Sequence, residues 1–349
     1  MTQLLASPKQ QVAELQARYL PDVMRWLRAV LPACEPGLSQ LLRYHLGWED
    51  DEGIASPASS GKALRPILCA TACELAGGDW RAALPAAAAL ELVHNFSLIH
   101  DDIQDGDVTR RGRETVWSLW GVPAALAGGN AMRVIAERTL TRLEDTGVAP
   151  ASVAIASAEL TRGYLEMIEG QYLDLSFEHR QDVTVAEYLD MISRKTGALF
   201  ESAMFLGALV ATGDADTARA FGGSGRGMGV AFQVRDDYLG VWGDPDTMLK
   251  PAADIKRKKK SLPITYMLEQ ASDDDRAWLG EAYADDEISG PNVERILELL
   301  ERLDARQYVQ RTAQAAASDA LALGTGLCLT HEQQGVLQEI ACYFVTREK

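Results

Sequence analysis

The chain is expected to fold as an all-α bundle of many packed helices, and three observations carry that expectation. Stretch after stretch is rich in Ala, Leu, Glu and Arg with apolar residues three and four apart, the period of a single helix face. Alternation of apolar and polar residues over strand length is hard to find, and clusters of Val, Ile and Thr are few. The balance of 47% hydrophobic and 24% charged residues is that of an ordinary globular protein, in which 349 residues can bury a large core.

The first expected element is an N-terminal helix over roughly 8–46, read from the apolar spacing of Val12–Val30 and packing on the bundle that follows. Breaks fall at Gly, Pro and Asp clusters near 47–62, 76–79, 105–123, 146–150, 178–184, 211–216, 242–262 and 271–291. Between them, a helix starts beside Gly61-Lys62-Ala63-Leu64-Arg65-Pro66, and an apolar run from Ala82 ends in a burst of carboxylates. The nearly uncharged stretches Ala82–Leu90 and Ser202–Thr212 are shorter than the roughly 20 residues a bilayer-spanning helix needs, so no transmembrane segment is expected. Gly222, Gly223, Gly225, Gly227 and Gly229 satisfy GxGxxG in no register and follow no strand, which makes them a close-packing helix face. Lys195-Thr196 and Lys260-Ser261 lack the glycines of a phosphate-binding loop. The acidic segment Ala271–Pro291 reads as a solvated surface element, and Val293–Leu303 as an amphipathic helix. No break separates two compositions and no solenoid repeat occurs, so residues 1–349 read as a single domain.

Charge and cysteine content exclude several classes. With 34 Lys+Arg against 50 Asp+Glu the net charge is −16, the wrong sign for a nucleic-acid footprint. Cys34, Cys69, Cys73, Cys328 and Cys342 contain no CxxC pair, so neither a disulfide framework nor a zinc site is indicated. The N-terminal MTQLLASPKQQ lacks a basic stretch followed by a long apolar run, and the cytoplasm is the expected compartment.

Chemistry concentrates in two carboxylate clusters. In His94-Asn-Phe-Ser-Leu-Ile-His-Asp101-Asp102-Ile-Gln-Asp105, the aspartates Asp101 and Asp105 are four apart and project from one helix face. Like charges at that spacing repel, which makes sense where a divalent ion neutralises them; magnesium, held by one or two carboxylates and substrate phosphates, suits such a site. A second cluster, Phe232-Gln233-Val-Arg-Asp236-Asp237, lies 135 residues later, again on an apolar lead-in. Cations flank both: Lys62 and Arg65 before the first, Arg110 and Arg111 after it, and Lys256 to Lys260 after the second. Arginine forks grip phosphate oxygens in pairs and lysines add point charge, as the binding of two diphosphates requires.

With these residues in view, the sequence resembles the trans-isoprenyl diphosphate synthases, or polyprenyl synthetases, and among them bacterial geranylgeranyl diphosphate synthases. The blocks GKALRP, HNFSLIHDDIQDGD, RRGRETVW, GQYLDL, RKTGALF and FQVRDDYLGVWGD with its trailing KKKSLP occur in the family's order from Gly61 to Pro263. The resemblance implies an all-helical isoprenoid-synthase bundle around a central cavity, working as a homodimer. It implies magnesium-dependent ionisation of an allylic diphosphate, attack of the isopentenyl diphosphate double bond on the cation, and loss of a proton. Three Mg2+ ions per active site are implied, with Asp101, Asp105 and Asp236 as ligands and Asp102 in support. Arg110, Lys195, Lys250 and Lys259 would hold the allylic diphosphate, and Lys62, Arg65, His94 and Arg111 the isopentenyl diphosphate. The Thr196 carbonyl and Gln233 would face the developing cation, with Gln171 and Asp174 ordering water and lysine near the metals.

Two positions depart from the family pattern: Ala63 where an arginine is usual, and Gly240 where a third aspartate is usual, leaving Asp236 and Asp237 to act. Phe96 and Ser97 hold the places that form the floor of the elongation cavity, one helical turn below Asp101, and an aromatic there resembles the type that stops at twenty carbons. The alternatives are a farnesyl or longer-chain synthase, a class I terpene cyclase, which would need no isopentenyl site, and a non-catalytic subunit of a heteromeric synthase.

Overall fold

The apolar period of the sequence is realised as helices throughout. A computed structural model describes residues 7–31, 35–56, 61–178, 180–243, 252–284, 287–324, 326–327 and 329–348, and the strands among them are limited to one hairpin of two residues a side. Lys250 and Asp244, with Cys34, Cys328, Asp285 and Asp286, lie outside the described residues. The helix expected over 8–46 is two helices, α1 (Pro8–Val30) and α2 (Pro36–His45). Pro36 opens α2, and Glu35 caps it by accepting from the Leu38 amide at 3.0 Å.

Contacts group the chain into two compact units, one of Ala13–Arg162 with Ser202–Gly222, the other of Met1–Val12, Gly163–Glu201 and Gly223–Lys349. In the first, α3 (Leu64–Leu75) is followed by a 3-10 turn, Trp80–Ala83, that leads into α4 (Leu84–Gln104). Asp79 caps the turn by accepting from the Arg81 amide at 3.0 Å, and Pro85 takes the first turn of α4, where its missing N–H is harmless. Apolar on every side, α4 is a core helix. The stretch from Trp80 to Gln104 is long and apolar enough to cross a membrane by length and composition, and 78% of its apolar window is buried inside the protein. Ala82–Leu90 is only its uncharged part; Glu91 and His94 interrupt the apolar run without ending the helix.

Glycines let the helices around α4 approach closely. A Cβ on Gly207 of α8 (Ala198–Thr212) would lie 2.1 Å from the Cys69 carbonyl oxygen on α3. One on Gly129 of α5 (Val116–Thr141) would come within 2.3 Å of His100 Nε2 on α4. Near its start α5 is kinked, where Gly121 at φ 81° is followed by Pro123.

The second unit draws on α6 (Pro150–Phe177), α7 (Val185–Ile192) and α9 (Ala215–Trp242), whose Phe177, Tyr188, Ile192 and Val234 pack with Leu262 of α11 (Leu262–Gln270). Ile255 of α10 (Ala253–Lys256) joins Ile264, Met267, Ile296 and Leu300 in a neighbouring cluster with α13 (Gly290–Arg302). The acidic segment expected as a surface break is a surface helix instead, α12 (Asp273–Ala284), which buries only Leu279 and Ala282. Its first turn carries Asp273, Asp274 and Asp275, charges that suit the positive end of a helix. The glycine run of α9 is a packing device: Cβ atoms on Gly225 and Gly229 would come within 2.5 Å of the Phe200 carbonyl oxygen and 2.8 Å of the Gly197 Cα. Gly227 does the same against Ala320 of α14 (Ala305–Gly324), and α15 (His331–Thr346) follows.

Because Gly207 has no space for a methyl group, Gly207→Ala is expected to destabilise the protein by about 1–3 kcal/mol. Urea denaturation checks this, and an unchanged midpoint would contradict the close approach.

Candidate active site

The last turn of α4 sorts its three aspartates by exposure. Asp101 is half-buried and Asp105 exposed, one turn apart on the same face, whereas Asp102 is only 1% exposed. Arg110 Nε donates to Asp102 Oδ1 at 2.6 Å, neutralising the inward carboxylate. Burial still pushes the Asp102 carboxyl above its ordinary pKa, against the opposing pull of Arg110. Asp101 and Asp105 are left facing outward, and two carboxylates on one face suit magnesium, which takes its remaining ligands from phosphates and water. Among the described residues no three His, Cys, Asp or Glu side chains converge as a closed metal cage, and such a shared site needs none.

The basic residues beyond α4 are set by a tight hairpin. β1 (Thr109–Arg110) pairs antiparallel with β2 (Arg113–Glu114), and the two residues of the turn, Arg111 and Gly112, have φ 52° and 75°. Positive φ at both places is the requirement of a type I′ turn; glycine meets it freely, while Arg111 is held there under strain. The Arg111 guanidinium lies against Gly61, where a Cβ would be 2.6 Å away, and so stands beside Lys62. Lys62 is anchored by its carbonyl, which accepts from Gln16 Nε2 at 3.0 Å, while Arg65 sits in the first turn of α3. Ala63, the departure from the family pattern, is partly exposed in a left-handed conformation at φ 45° just before α3.

Two histidines complete this patch. His94 on α4 and His45 at the end of α2 are both held neutral: burial first, then the positive charges of the neighbouring arginines, lower their pKa values, that of His45 to about 3. His45 lines a solvent-open recess of about 490 Å³ with Tyr44, Asp102, Arg110, Arg111 and Arg113. Sequence reasoning missed His45, which carries no motif around it. Of the proposed chain-length residues, Phe96 is buried edge-on against His100 with ring centroids 5.5 Å apart, and Ser97 Oγ donates to the His94 carbonyl at 2.8 Å.

The second unit repeats the division of labour. Asp236 is 41% exposed and Asp237 only 1%. The Tyr188 hydroxyl donates to Asp237 Oδ2, Gln233 Nε2 donates to Oδ1 at 3.1 Å, and the Leu262 amide donates to Oδ2 at 3.1 Å. Burial pushes the Asp237 carboxyl up to about 7, against the pull of Lys259. Asp237, expected to act beside Asp236, is buried and holds Gln233, Tyr188 and the start of α11. Gln233 in turn accepts from Thr196 Oγ1 at 2.8 Å.

Lys195 and Thr196 sit in a π turn, Ser193–Gly197, between α7 and α8, a local widening of the helix common at functional sites. Gly170 packs against it, since a Cβ there would fall 2.3 Å from the Lys195 amide nitrogen, and Lys195 Nζ reaches Asp174 Oδ2 at 2.5 Å. Gln171, next to that glycine, is buried. Lys259 keeps an accessible side chain: desolvation would lower its pKa, but Asp254, Asp237, Asp174 and Asp236 outweigh that and raise it.

Asp254 and Arg347 escaped sequence reasoning. The Asp254 carboxylate fills the volume beside Gly240, where a Cβ would be 2.4 Å from its Oδ2, so a carboxylate from α10 stands near the place of the missing third aspartate. Its position at the head of the lysine run was the only local signal. Arg347, beyond α15, pairs with Asp236 and donates from Nη2 to the Phe232 carbonyl at 3.1 Å; no motif marked it.

Aspartate pairs with an outward first member, each flanked by arginine or lysine, on an all-helical scaffold, define an enzyme that handles diphosphates. Residues 54–300 match the polyprenyl synthetase family; the chain belongs to it and is a prenyltransferase. It is 39% identical to a geranylgeranyl diphosphate synthase of Mycobacterium tuberculosis over 84% of this chain and 83% of that one. It is 36% identical to a (2E,6E)-farnesyl diphosphate synthase of Mycobacterium bovis over 92% of this chain and 89% of the other. The crystal structure of a polyprenyl synthetase from Streptomyces coelicolor superposes with a TM-score of 0.88 at 32% identity, covering 96% of this chain and 100% of that one.

The neutral His45 yields a pH prediction. Its folded pKa of about 3 lies below the ordinary 6.5, so the unfolded chain takes up a proton that the folded protein refuses. Stability present above pH 6.5 is lost as the pH falls, by about 2 kcal/mol at pH 5. His45→Gln should therefore lose less stability than wild type between pH 6.5 and 5 in urea titrations; parallel losses would contradict the assignment.

Proposed function

We propose that the protein catalyses head-to-tail (1′-4) condensation of isopentenyl diphosphate with allylic diphosphates, namely dimethylallyl, geranyl and farnesyl diphosphate, to give all-trans geranylgeranyl diphosphate and free diphosphate. The observation that carries the reading is the shared design of the two aspartate pairs: in each, the first carboxylate is accessible and the second is buried and hydrogen-bonded. The proposal treats residues 1–349 as one catalytic domain, working in the cytoplasm as a homodimer; the exposed Val122, Leu126 and Val134 on α5 support a dimer by offering an apolar face.

Asp101, Asp105 and Asp236 are the residues to hold magnesium, three ions per site. Bound there, the metal supplies charge neutralisation to the departing diphosphate. Arg110, Lys195, Lys259 and Lys250 grip that diphosphate and draw it from the allylic carbon. The Thr196 carbonyl and Gln233 turn partial negative charge toward the cation that develops, and Thr196 and Gln233 hold each other in place. Lys62, Arg65 and Arg111 bind the diphosphate of the second substrate, with His94 as a neutral partner that adds a hydrogen bond without further charge. The double bond so positioned attacks the cation, and proton loss restores an alkene.

Phe96 and Ser97 are the proposed floor of the elongation cavity. A farnesyl product is the second reading, favoured by the similar identities to a farnesyl and a geranylgeranyl synthase. Incubation with magnesium, isopentenyl diphosphate and each of the three primers should give a twenty-carbon product. Hydrocarbon or alcohol released from one prenyl diphosphate, without isopentenyl diphosphate, would establish a cyclase instead. Excess chelator should abolish turnover. Phe96→Ala should shift the product to longer chains by chromatography, and an unchanged distribution would remove Phe96 from the floor.

A further inference from the structure

Arg226 is an arginine among glycines on α9, and no step proposed above uses it. Gly225 and Gly229 bring the backbone of α9 against the Phe200 carbonyl and the Gly197 Cα, which puts Arg226 within reach of the helices alongside. Its guanidinium is partly buried, and each of its nitrogens has a partner. Nε donates to Glu201 Oε2 on α8 at 2.5 Å, and Nη2 donates to Glu166 Oε2 on α6 at 2.6 Å. Nη1 donates to the Ser193 hydroxyl at 3.2 Å and to the Ser193 carbonyl at 3.3 Å.

Ser193 opens the π turn and Gly197 closes it. A Cβ on Gly197 would lie 3.3 Å from both the Arg226 Cγ and the Arg226 carbonyl oxygen, so the stem of this side chain lies against the end of the turn whose start its guanidinium holds. Lys195 and Thr196 sit between the two grips. A π turn is wider than the α-helix on either side of it and occurs as a single turn that needs support from its surroundings. Were the segment to revert to α-helix, the residues beyond the lost widening would swing by about 100° around the axis. That swing would part Lys195 from Asp174 and Thr196 from Gln233. The planar fork of an arginine reaches Glu166, Glu201 and Ser193 together, which the compact ammonium of a lysine cannot.

We propose that Arg226 is a positioning residue for the allylic substrate: anchored by Glu166 and Glu201, it braces the π turn so that Lys195 meets the allylic diphosphate and the Thr196 carbonyl meets the developing cation. This rests on the assignment of Lys195 and Thr196 to the allylic site. Isopentenyl diphosphate, assigned to Lys62, Arg65 and Arg111 on other elements, is unaffected.

Arg226→Gln removes the charge and the fork, while Arg226→Lys keeps the charge beside Glu166 and Glu201 and loses the fork. Steady-state kinetics with each substrate varied in turn should show, for Arg226→Gln, a KM for farnesyl diphosphate raised about tenfold. Its kcat should fall at least about tenfold, because the displaced Thr196 carbonyl acts on charge that exists only as the cation forms. Its KM for isopentenyl diphosphate should stay within about twofold of wild type. Arg226→Lys should show the same pattern to a smaller degree. A fall in kcat with neither KM moved, which loss of folded enzyme alone produces, an equal rise in KM for both substrates, or unchanged kinetics would overturn the proposal. If Arg226→Gln melts too early to assay, Arg226→Lys decides: a severalfold rise in KM confined to farnesyl diphosphate supports the role and no rise refutes it. Condensation by wild type with unmoved kinetics in the variants defeats only the role of Arg226, whereas a wild type that consumes no isopentenyl diphosphate defeats the functional reading and this proposal with it.

Discussion

A carboxylate buried at the end of an apolar helix has to be ion-paired or hydrogen-bonded where it lies, and both aspartate pairs are built on that constraint. Asp102 is met by Arg110, and Asp237 by Tyr188, Gln233 and the Leu262 amide. Once the second aspartate of a pair is fixed inward, helical geometry points the first to a different side, toward solvent. The outward carboxylates are then held on a rigid base, which a shared metal site requires.

The same constraint fixes the surroundings. Arg110 is drawn to Asp102, and the tight hairpin turn that carries it places Arg111 against Gly61. In the other unit, Gln233 spans Asp237 and Thr196, so the buried aspartate also sets the side chain proposed to face the cation. Glycine at 170, 225 and 229 lets backbones come close enough to form the π turn at Ser193–Gly197 and its supports.

Much of this was legible in the sequence because its signals are local. The helical period gave the all-α class, and the paired aspartates at the ends of apolar runs, with lysine and arginine nearby, marked the candidate site. The glycine run of α9 read correctly as packing, since no strand preceded it. What the sequence hid depends on tertiary approach: Asp254 filling the space beside Gly240, Arg347 on Asp236, and Tyr188 on Asp237 join residues far apart in the chain. The inward turn of Asp237 was hidden for the same reason, because adjacent aspartates look alike until their partners are placed. The surface helix α12 was hidden by its charge, since three aspartates at a helix start also look like a loop.

The division between a working and a holding aspartate is tested most directly by measuring kcat and the melting midpoint together for Asp101→Asn and Asp102→Asn. A metal-holding Asp101 predicts a loss of kcat of at least about a hundredfold, with the midpoint close to that of wild type. A buried Asp102 predicts a midpoint lowered by several degrees, as about 2–4 kcal/mol is lost when Arg110 is left unpaired. The reverse pattern, with Asp101→Asn unstable and Asp102→Asn stable but inactive, would contradict the assignment of roles.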